Sequence, residues 1–284
     1  NIGINISGSN LNLVSILDNE FVNTDFIETS TSSFHNTAMT IQMPVTTARL
    51  NTEVNISNNT ITDYRIGIHA SNVPNISIGS KPTLVAPNQI FFGQDVFNDF
   101  HHGIWLEGCN GAKVQDNEIT QINPAIPSGS YTVEGITIDE CHHGFINLII
   151  INELHTPVHV IGDCDYTELH CNDFINNTNS GSGVFMNFAK LPEQGDAASN
   201  ISWDNTWEGY SSNVYGVTGL PGTSSDWPWD NSDQKYNPHP DPSSGLILAT
   251  PLTGPGSFGC AVAAAPDDHD RDLRYGPVVD DTLS

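Results

Sequence analysis

The chain has 284 residues, with 8 Lys plus Arg against 33 Asp plus Glu, and its formal net charge of -25 is repelled by nucleic-acid phosphates and by anionic lipid. No apolar run reaches the roughly 20 residues that a membrane-spanning helix needs, because the longest run is interrupted by Asn147. The composition therefore excludes a nucleic-acid partner and a membrane span, and the scarcity of Lys, Glu and Ala argues against surface helices.

Other features of the composition are typical of an exported protein. The chain has little Lys, many small polar residues and 5 cysteines. It begins at Asn1 without the apolar core of a signal peptide, which we interpret as a processed product or as part of a longer protein. The sequence therefore predicts an extracellular or cell-surface location.

A repeat runs through the first 203 residues: an Asn, an apolar residue one or two positions later, a Gly-Ile-like strand and a turn. The equivalent strand positions, separated by 36, 32, 22 and 26 residues, are Gly67, Gly103, Gly135, Pro157 and Gly183. A basic coil of about 22 residues therefore carries insertions, at 78–95 and 121–132, whose Pro, Gly and Ser content is typical of surface loops. The short, alternating, β-branched strands predict a solenoid whose coils bury their apolar faces on one another.

The Asn-x-Ile and Gly-Ile-x-Ile-x-x-Cys pattern resembles the parallel β-helix repeats of the pectin-lyase-like superfamily over residues 1–203. This resemblance implies an all-β, right-handed parallel β-helix with three sheets per coil and stacked inward Ile, Val and Leu. It also implies a ladder of Asn side chains that hydrogen-bond from coil to coil. The candidates for this ladder are Asn59, Asn98, Asn117, Asn152 and Asn172.

The repeat ends after Trp203. Residues 204–260 are rich in Trp, Tyr, Pro, Gly and Asp, which predicts a loop-rich cap or flap packed on the helix. Residues 261–284 contain runs of Asp and are predicted to be an acidic linker or the start of a following domain. Within them, Asp281-Thr282-Leu283 resembles the O-glycosylation motif of Bacteroidetes bacteria, and the chain is similar in texture to large repeat-bearing surface proteins of that phylum.

Three cysteines, Cys109, Cys141 and Cys164, fall at equivalent positions of successive coils and predict a buried column of thiols. A zinc site is the alternative, but zinc favours paired ligands in closely spaced motifs, whereas a column offers one sulfur per coil about 5 Å apart. Cys171 and Cys260 remain, and a disulfide between them would attach the C-terminal segment to the helix.

Alternation along the Gly-Ile strands predicts three columns of outward side chains on one face. The first column holds His69, Trp105, Thr137, His159 and Phe185. The second holds Arg65, His101, Val133 and His155. The third holds Ser71, Glu107, Asp139 and Ile161. Trp and His stack on sugar rings while carboxylates and imidazoles bind hydroxyls, so this face is the candidate glycan-binding site unless residues 204–260 cover it.

The catalytic motifs of the superfamily are incomplete. Polygalacturonase-like hydrolases carry Asn-x-Asp, an Asp pair, Gly-His-Gly and Arg-x-Lys in that order; Asn23-Thr24-Asp25 matches the first, but the Asp pair does not follow and His102-Gly103 lacks the preceding Gly. Lyases that act on uronates need basic residues and often Ca²⁺, and of the basic residues only Arg65 falls on the predicted face. Glu107 and Asp139 are the pair that would serve as acid and base in a glycosidase.

The sequence therefore predicts a non-catalytic module, a rigid spacer or adhesive segment of a surface protein that contacts polysaccharide or neighbouring domains. Such a module needs no cofactor, and one imidazole per coil is weak geometry for a metal site on this face. The alternative is a carbohydrate-active enzyme, a polysaccharide lyase or glycoside hydrolase, that uses the same face; Ca²⁺ is the cation that a lyase would require.

Overall fold

The structure is a computed structural model that describes residues 2–9, 11, 13–23, 36–45, 52–79, 87–93, 101–122, 133–176, 181–210, 214–241 and 246–252. Its strands, in chain order, are β1 (Ile2–Ser7), β2 (Val14–Leu17), β3 (Glu20–Val22), β4 (Thr37–Gln42), β5 (Val54–Ser57), β6 (Thr60–Thr62), β7 (Ile66–Ser71), β8 (Ser77–Gly79), β9 (Gln89–Phe92), β10 (His101–Glu107), β11 (Lys113–Gln115), β12 (Glu118–Gln121), β13 (Val133–Asp139), β14 (Phe145–Asn147), β15 (Ile150–Asn152), β16 (Thr156–Asp163), β17 (Glu168–His170), β18 (Asp173–Ile175), β19 (Val184–Lys190), β20 (Gly195–Asp196), β21 (Ile201–Ser202), β22 (Thr206–Glu208), β23 (Val217–Gly219), β24 (Ser224–Trp229) and β25 (Leu246–Pro251). A short 3-10 helix covers Gln234–Tyr236.

From β1 to β18, successive coils contribute strands to three parallel sheets, whereas β24 and β25 extend sheet 1 only and β20 and β21 form a separate antiparallel pair. Sheet 1 has the order β1-β4-β7-β10-β13-β16-β19-β24-β25, with β23 also paired to β19. Sheet 2 runs β2-β5-β8-β11-β14-β17, and sheet 3 runs β3-β6-β9-β12-β15-β18-β22. Strands from successive coils are neighbours and run parallel, so the predicted right-handed parallel β-helix is confirmed. No helix among the described residues is long and apolar enough to cross a membrane.

Columns of aliphatic side chains fill the interior of the helix. In sheet 1, Ile68, Ile104 and Ile136 pair in register and are fully buried. The column of sheet 2 contains Ile56, Ile78, Val114, Ile146 and Leu169, and that of sheet 3 contains Ile61, Ile90, Ile119, Ile151 and Phe174. Because each such side chain contributes about 1.5–3 kcal/mol when buried, the stacked columns stabilise the coils on one another.

An asparagine ladder lies at the turn between sheets 2 and 3. The side-chain nitrogen of Asn59 donates to Asn88 Oδ1 at 2.9 Å, and that of Asn88 donates to Asn117 Oδ1 at 2.8 Å. A second run joins Asn172 to Asn205 at 2.9 Å. These side chains provide the turn carbonyls with donors that the sheets cannot supply.

The ladder is interrupted between Asn117 and Asn172 by Ile149, whose backbone nitrogen donates to Asn172 Oδ1 at 3.1 Å. Asn152, predicted as a ladder residue, instead ends β15, paired with residues of β12 and β18 in sheet 3. In this coil Ile149, rather than an Asn, occupies the ladder position. A sequence alignment that matches Asn152 to Asn117 therefore places this coil three residues out of register. Asn98 lies outside the described residues.

We expect Asn117→Ala to lower the free energy of unfolding by about 2–4 kcal/mol. Its side-chain nitrogen donates to the carbonyls of Ile78 and Gln115 at 3.0 and 2.9 Å, and truncation leaves these buried groups unsatisfied. Urea denaturation measures the loss. Asn152→Ala is the matched control and should cost less than about 1 kcal/mol, because the side-chain oxygen of Asn152 accepts no hydrogen bond in the described part of the chain. Equal losses in the two variants would contradict the ladder assignment.

The column of Cys109, Cys141 and Cys164 lies at the turn after sheet 1, and all three thiols are free and fully buried. The backbone nitrogen of Cys109 donates to Cys141 Sγ at 3.1 Å. Burial raises the pKa of Cys164 to about 12. Burial also raises the pKa of Cys109, but hydrogen bonds from Cys141 and from the backbone outweigh burial and lower it. The complete burial of the three sulfur atoms is consistent with a packing role. Cys171 is disulfide-bonded, and Cys260 lies outside the described residues.

The described part of the 204–260 segment adds strands to the same sheets. Strand β22 pairs with β18 in sheet 3, while β23 pairs with β19 and β25 with β24 in sheet 1. Trp207 packs on Phe174 and Trp227, with ring centroids 4.7 and 5.7 Å apart, and so continues the core column of sheet 3. These described strands prolong the helix rather than lie across the outer face of sheet 1. Residues 253–284 lie outside the described part of the chain.

Candidate functional site

The outer face of sheet 1 is determined by an irregularity at the glycine of each central strand. A Cβ added to Gly103 would lie 2.6 Å from the backbone oxygen of Gly135 and 3.0 Å from the side chain of Ile119, so this glycine faces the core. The next residue, Ile104, also faces the core. Two consecutive inward positions shift the alternation by one residue, and Gly67 and Gly135 have the same environment.

This shift changes which residues form the second column. Val133 belongs to the hydrophobic core, and His101 and Arg65 are buried, whereas His155 is exposed just before β16. The structure therefore does not bring these predicted residues together on the outer face. The column that pairs in register beside Trp105 consists of Ile66, His102, Glu134 and Thr156. Strict alternation could not identify it, but the polar residue that directly precedes the glycine in β10 and β13 was an available signal.

The residues of the first column do lie side by side on five adjacent strands, where they form the Trp105 row. Its residues, paired in register, are His69, Trp105, Thr137, His159 and Phe185. Trp105, His159 and Phe185 are partly exposed, while the other two are buried. The indole of Trp105 packs on the imidazoles of His69 and His102, each with ring centroids 4.8 Å apart. The predicted exposed aromatic ladder is thus a packed, half-buried cluster.

Glu134 is the centre of a polar network beside this row. Its Oε1 lies 2.9 Å from His159 Nδ1, and its Oε2 lies 3.2 Å from His102 Nδ1. The hydroxyl of Thr137 donates to Oε2 at 2.6 Å. The Glu134 side chain is only 6% exposed, and a carboxylate so buried needs such partners to remain charged.

The electrostatics of the network keep Glu134 ionised. Burial raises the pKa of this carboxyl, but hydrogen bonds and charges from His102 and His159 outweigh burial and lower the pKa to about 2. Burial lowers the pKa of His69, against the opposing effect of Glu107. A fixed negative charge therefore lies next to imidazoles on the solvent side of the sheet, an arrangement that is more typical of binding or catalytic sites than of plain scaffolds.

The third column places two carboxyl groups on adjacent strands. Glu107 pairs with Asp139 in register, and its carboxylate is 51% exposed and 3.6 Å from His69 Nε2. Burial, together with the negative charges of Glu107 and Glu140, raises the pKa of Asp139. Asp139 therefore holds a proton more readily than an ordinary Asp, next to a partly exposed carboxylate that accepts hydrogen bonds. Ser71 and Ile161 complete the column at its two sides.

Comparison of the chain with protein-family models, with curated proteins and with solved structures finds no match in any of the three.

Proposed function

We propose that the protein is an extracellular β-helix module that binds polysaccharide on the outer face of sheet 1 without cleaving it. The observation that carries the proposal is the network of Trp105, Glu134, His102 and His159 on the solvent side of the sheet. Burying a charged carboxylate costs free energy, and a rigid spacer would be built at lower cost from small polar residues. A charged carboxylate buried at this free-energy cost is expected on a face that performs a function.

The composition of the face indicates the class of polysaccharide. The partly exposed rings of Trp105 and Phe185 offer surface for the C–H face of a sugar, and Glu107 offers oxygen acceptors for hydroxyls. No Lys or Arg stands in the three columns that pair in register. Together with a net charge of -25, this favours a neutral or cationic polymer over a uronate.

Retention of the protein in native gels that contain single polysaccharides tests the proposal. We expect at least one neutral or amino-sugar polymer to retard the wild type and Glu107→Gln to lose at least about 10-fold in affinity, because it loses charged acceptors for hydroxyls. Glu208→Gln removes an exposed carboxylate from sheet 3 and should bind as the wild type does. Retention by polyuronates alone, or equal binding by both variants, would refute the proposal.

A second function is favoured by one observation, the raised pKa of Asp139 beside Glu107. A protonated carboxyl and an ionised one are the acid and base of a glycoside hydrolase. The same polymers, incubated with the protein and assayed for new reducing ends, separate the functions. A hydrolase releases reducing ends and loses this activity in Asp139→Asn, whereas a binding module releases none.

The proposal includes a secreted or cell-surface location and kinship with the pectin-lyase-like superfamily. The disulfide bond of Cys171 supports export, and the asparagine ladder with its coil repeat supports kinship. An origin in a Bacteroidetes surface protein rests on the sequence texture and on the motif at residues 281–283.

A further inference from the structure

A second cluster of polar side chains lies at the end of sheet 1, where Asp163 is the last residue of β16 and where His142 and Asp165 lie on the turns that lead to sheet 2. His142, Asp163 and Asp165 each offer one nitrogen or oxygen atom, and these atoms all lie within 4.8 Å of one another. The backbone places them there: His143 N donates to the carbonyl of Asp165 at 3.0 Å, which sets the two turns side by side. Asp163 ends β16 in the same coil as Asp165, at a point where the register with β19 shifts.

The three side chains lie at the surface, where His142 is partly exposed and both Asp residues are exposed. In the described part of the chain, neither Asp carboxylate nor the His142 ring makes a hydrogen bond or an ion pair. Two carboxylates held this close repel each other, in a protein that already carries a net charge of -25. A cation bound between them would remove this repulsion.

There is also space for the remaining ligands of a cation. His142 and Asp163 line a cavity of about 580 Å³, whose wall includes the polar side chains of Asn72, Asn110 and Glu140. A metal held by three protein groups needs water or another oxygen donor to complete its coordination, and this cavity can hold both. The imidazole decides the kind of metal, because Ca²⁺ takes oxygen ligands whereas zinc and related transition metals accept a nitrogen with two carboxylates.

We propose that His142, Asp163 and Asp165 bind a divalent transition metal such as Zn²⁺, with its remaining coordination positions filled from the adjoining cavity. This site differs from the one that a lyase would need, which is an oxygen-only Ca²⁺ site. It is also independent of the proposed glycan-binding face, because the two share no residue and neither function requires the other.

Isothermal titration of ZnCl₂ into the chelator-treated 284-residue protein tests the proposal. We expect one site, weakened at least about 100-fold in His142→Ala and in Asp165→Asn, because each variant removes a ligand. His143→Ala is the matched control: this neighbouring imidazole stacks on Tyr166, with ring centroids 4.7 Å apart, and is not part of the ligand set. It should bind zinc as the wild type does, and excess Ca²⁺ should not compete.

Thermal melting with and without zinc provides a second readout, because a ligand that binds only the folded state raises Tm. The rise should be present in the wild type and in His143→Ala and absent in the two ligand variants. Absence of zinc binding, zinc binding that persists in both ligand variants, or Ca²⁺ binding of equal affinity would each overturn the proposal. Zinc binding that persists in both ligand variants would assign the zinc to another cluster, such as the imidazoles around Glu134.

Discussion

Replacing Glu134 with Ala is expected to lower the free energy of unfolding by about 3–5 kcal/mol at pH 7. The carboxylate is the common partner of His102, His159 and Thr137, and its removal leaves three polar groups facing one another at a largely buried site. Urea denaturation gives the difference directly. Glu107→Gln is the control, since this half-exposed carboxylate should contribute less than about 1 kcal/mol.

The same residue predicts a pH dependence whose sign is fixed by its pKa. The folded-state pKa of about 2 lies below the ordinary value of 4.5, so the stabilisation by Glu134 is fully present above pH 4.5 and is lost as the pH falls toward 2. The isosteric variant Glu134→Gln cannot titrate, and its difference in stability from the wild type should shrink over this interval. A difference that stays constant from pH 7 to pH 2, or a loss below about 1 kcal/mol in Glu134→Ala, would show that the network does not stabilise the fold.

Replacing Trp105 with Ala is expected to cost about 2–3 kcal/mol of stability, less than the 3–5 kcal/mol typical of a fully buried Trp. The reason is that the indole is partly exposed yet packs on the imidazoles of His69 and His102. A loss within a few tenths of a kcal/mol would mean that the ring lies free on the surface. Trp203→Ala is a close match, because this partly exposed Trp stacks on His170 beside sheet 2, with ring centroids 4.2 Å apart. It should show a similar loss.

The sequence was sufficient to predict the coil and its core because that information is periodic. Alternating β-branched residues place Ile68, Ile104 and Ile136 inside, and a solenoid repeats this placement in every coil. The register of the Trp105 row followed from the same repeat.

The sequence was insufficient where one residue breaks the period. A glycine that faces the core lets two consecutive residues point inward, which moves His102 and Glu134 to the outer face and places Val133 in the core. Ile149 in an asparagine position shifted the alignment of its coil and made Asn152 resemble a ladder residue. Both deviations depend on backbone conformation in three dimensions, which the pattern of residue types does not record.

The most direct test of whether the outer face of sheet 1 is the binding face is a calorimetric titration. An oligosaccharide of the polysaccharide that retards the wild type is titrated into Trp105→Ala and into Trp203→Ala. Both variants are expected to stay folded and to lose similar stability, so a difference in binding reports on location alone. We predict that Trp105→Ala loses at least about 100-fold in affinity, because the sugar loses its stacking surface, while Trp203→Ala binds as the wild type does. Unchanged binding by Trp105→Ala, or an equal loss in both variants, would contradict the assignment of the face.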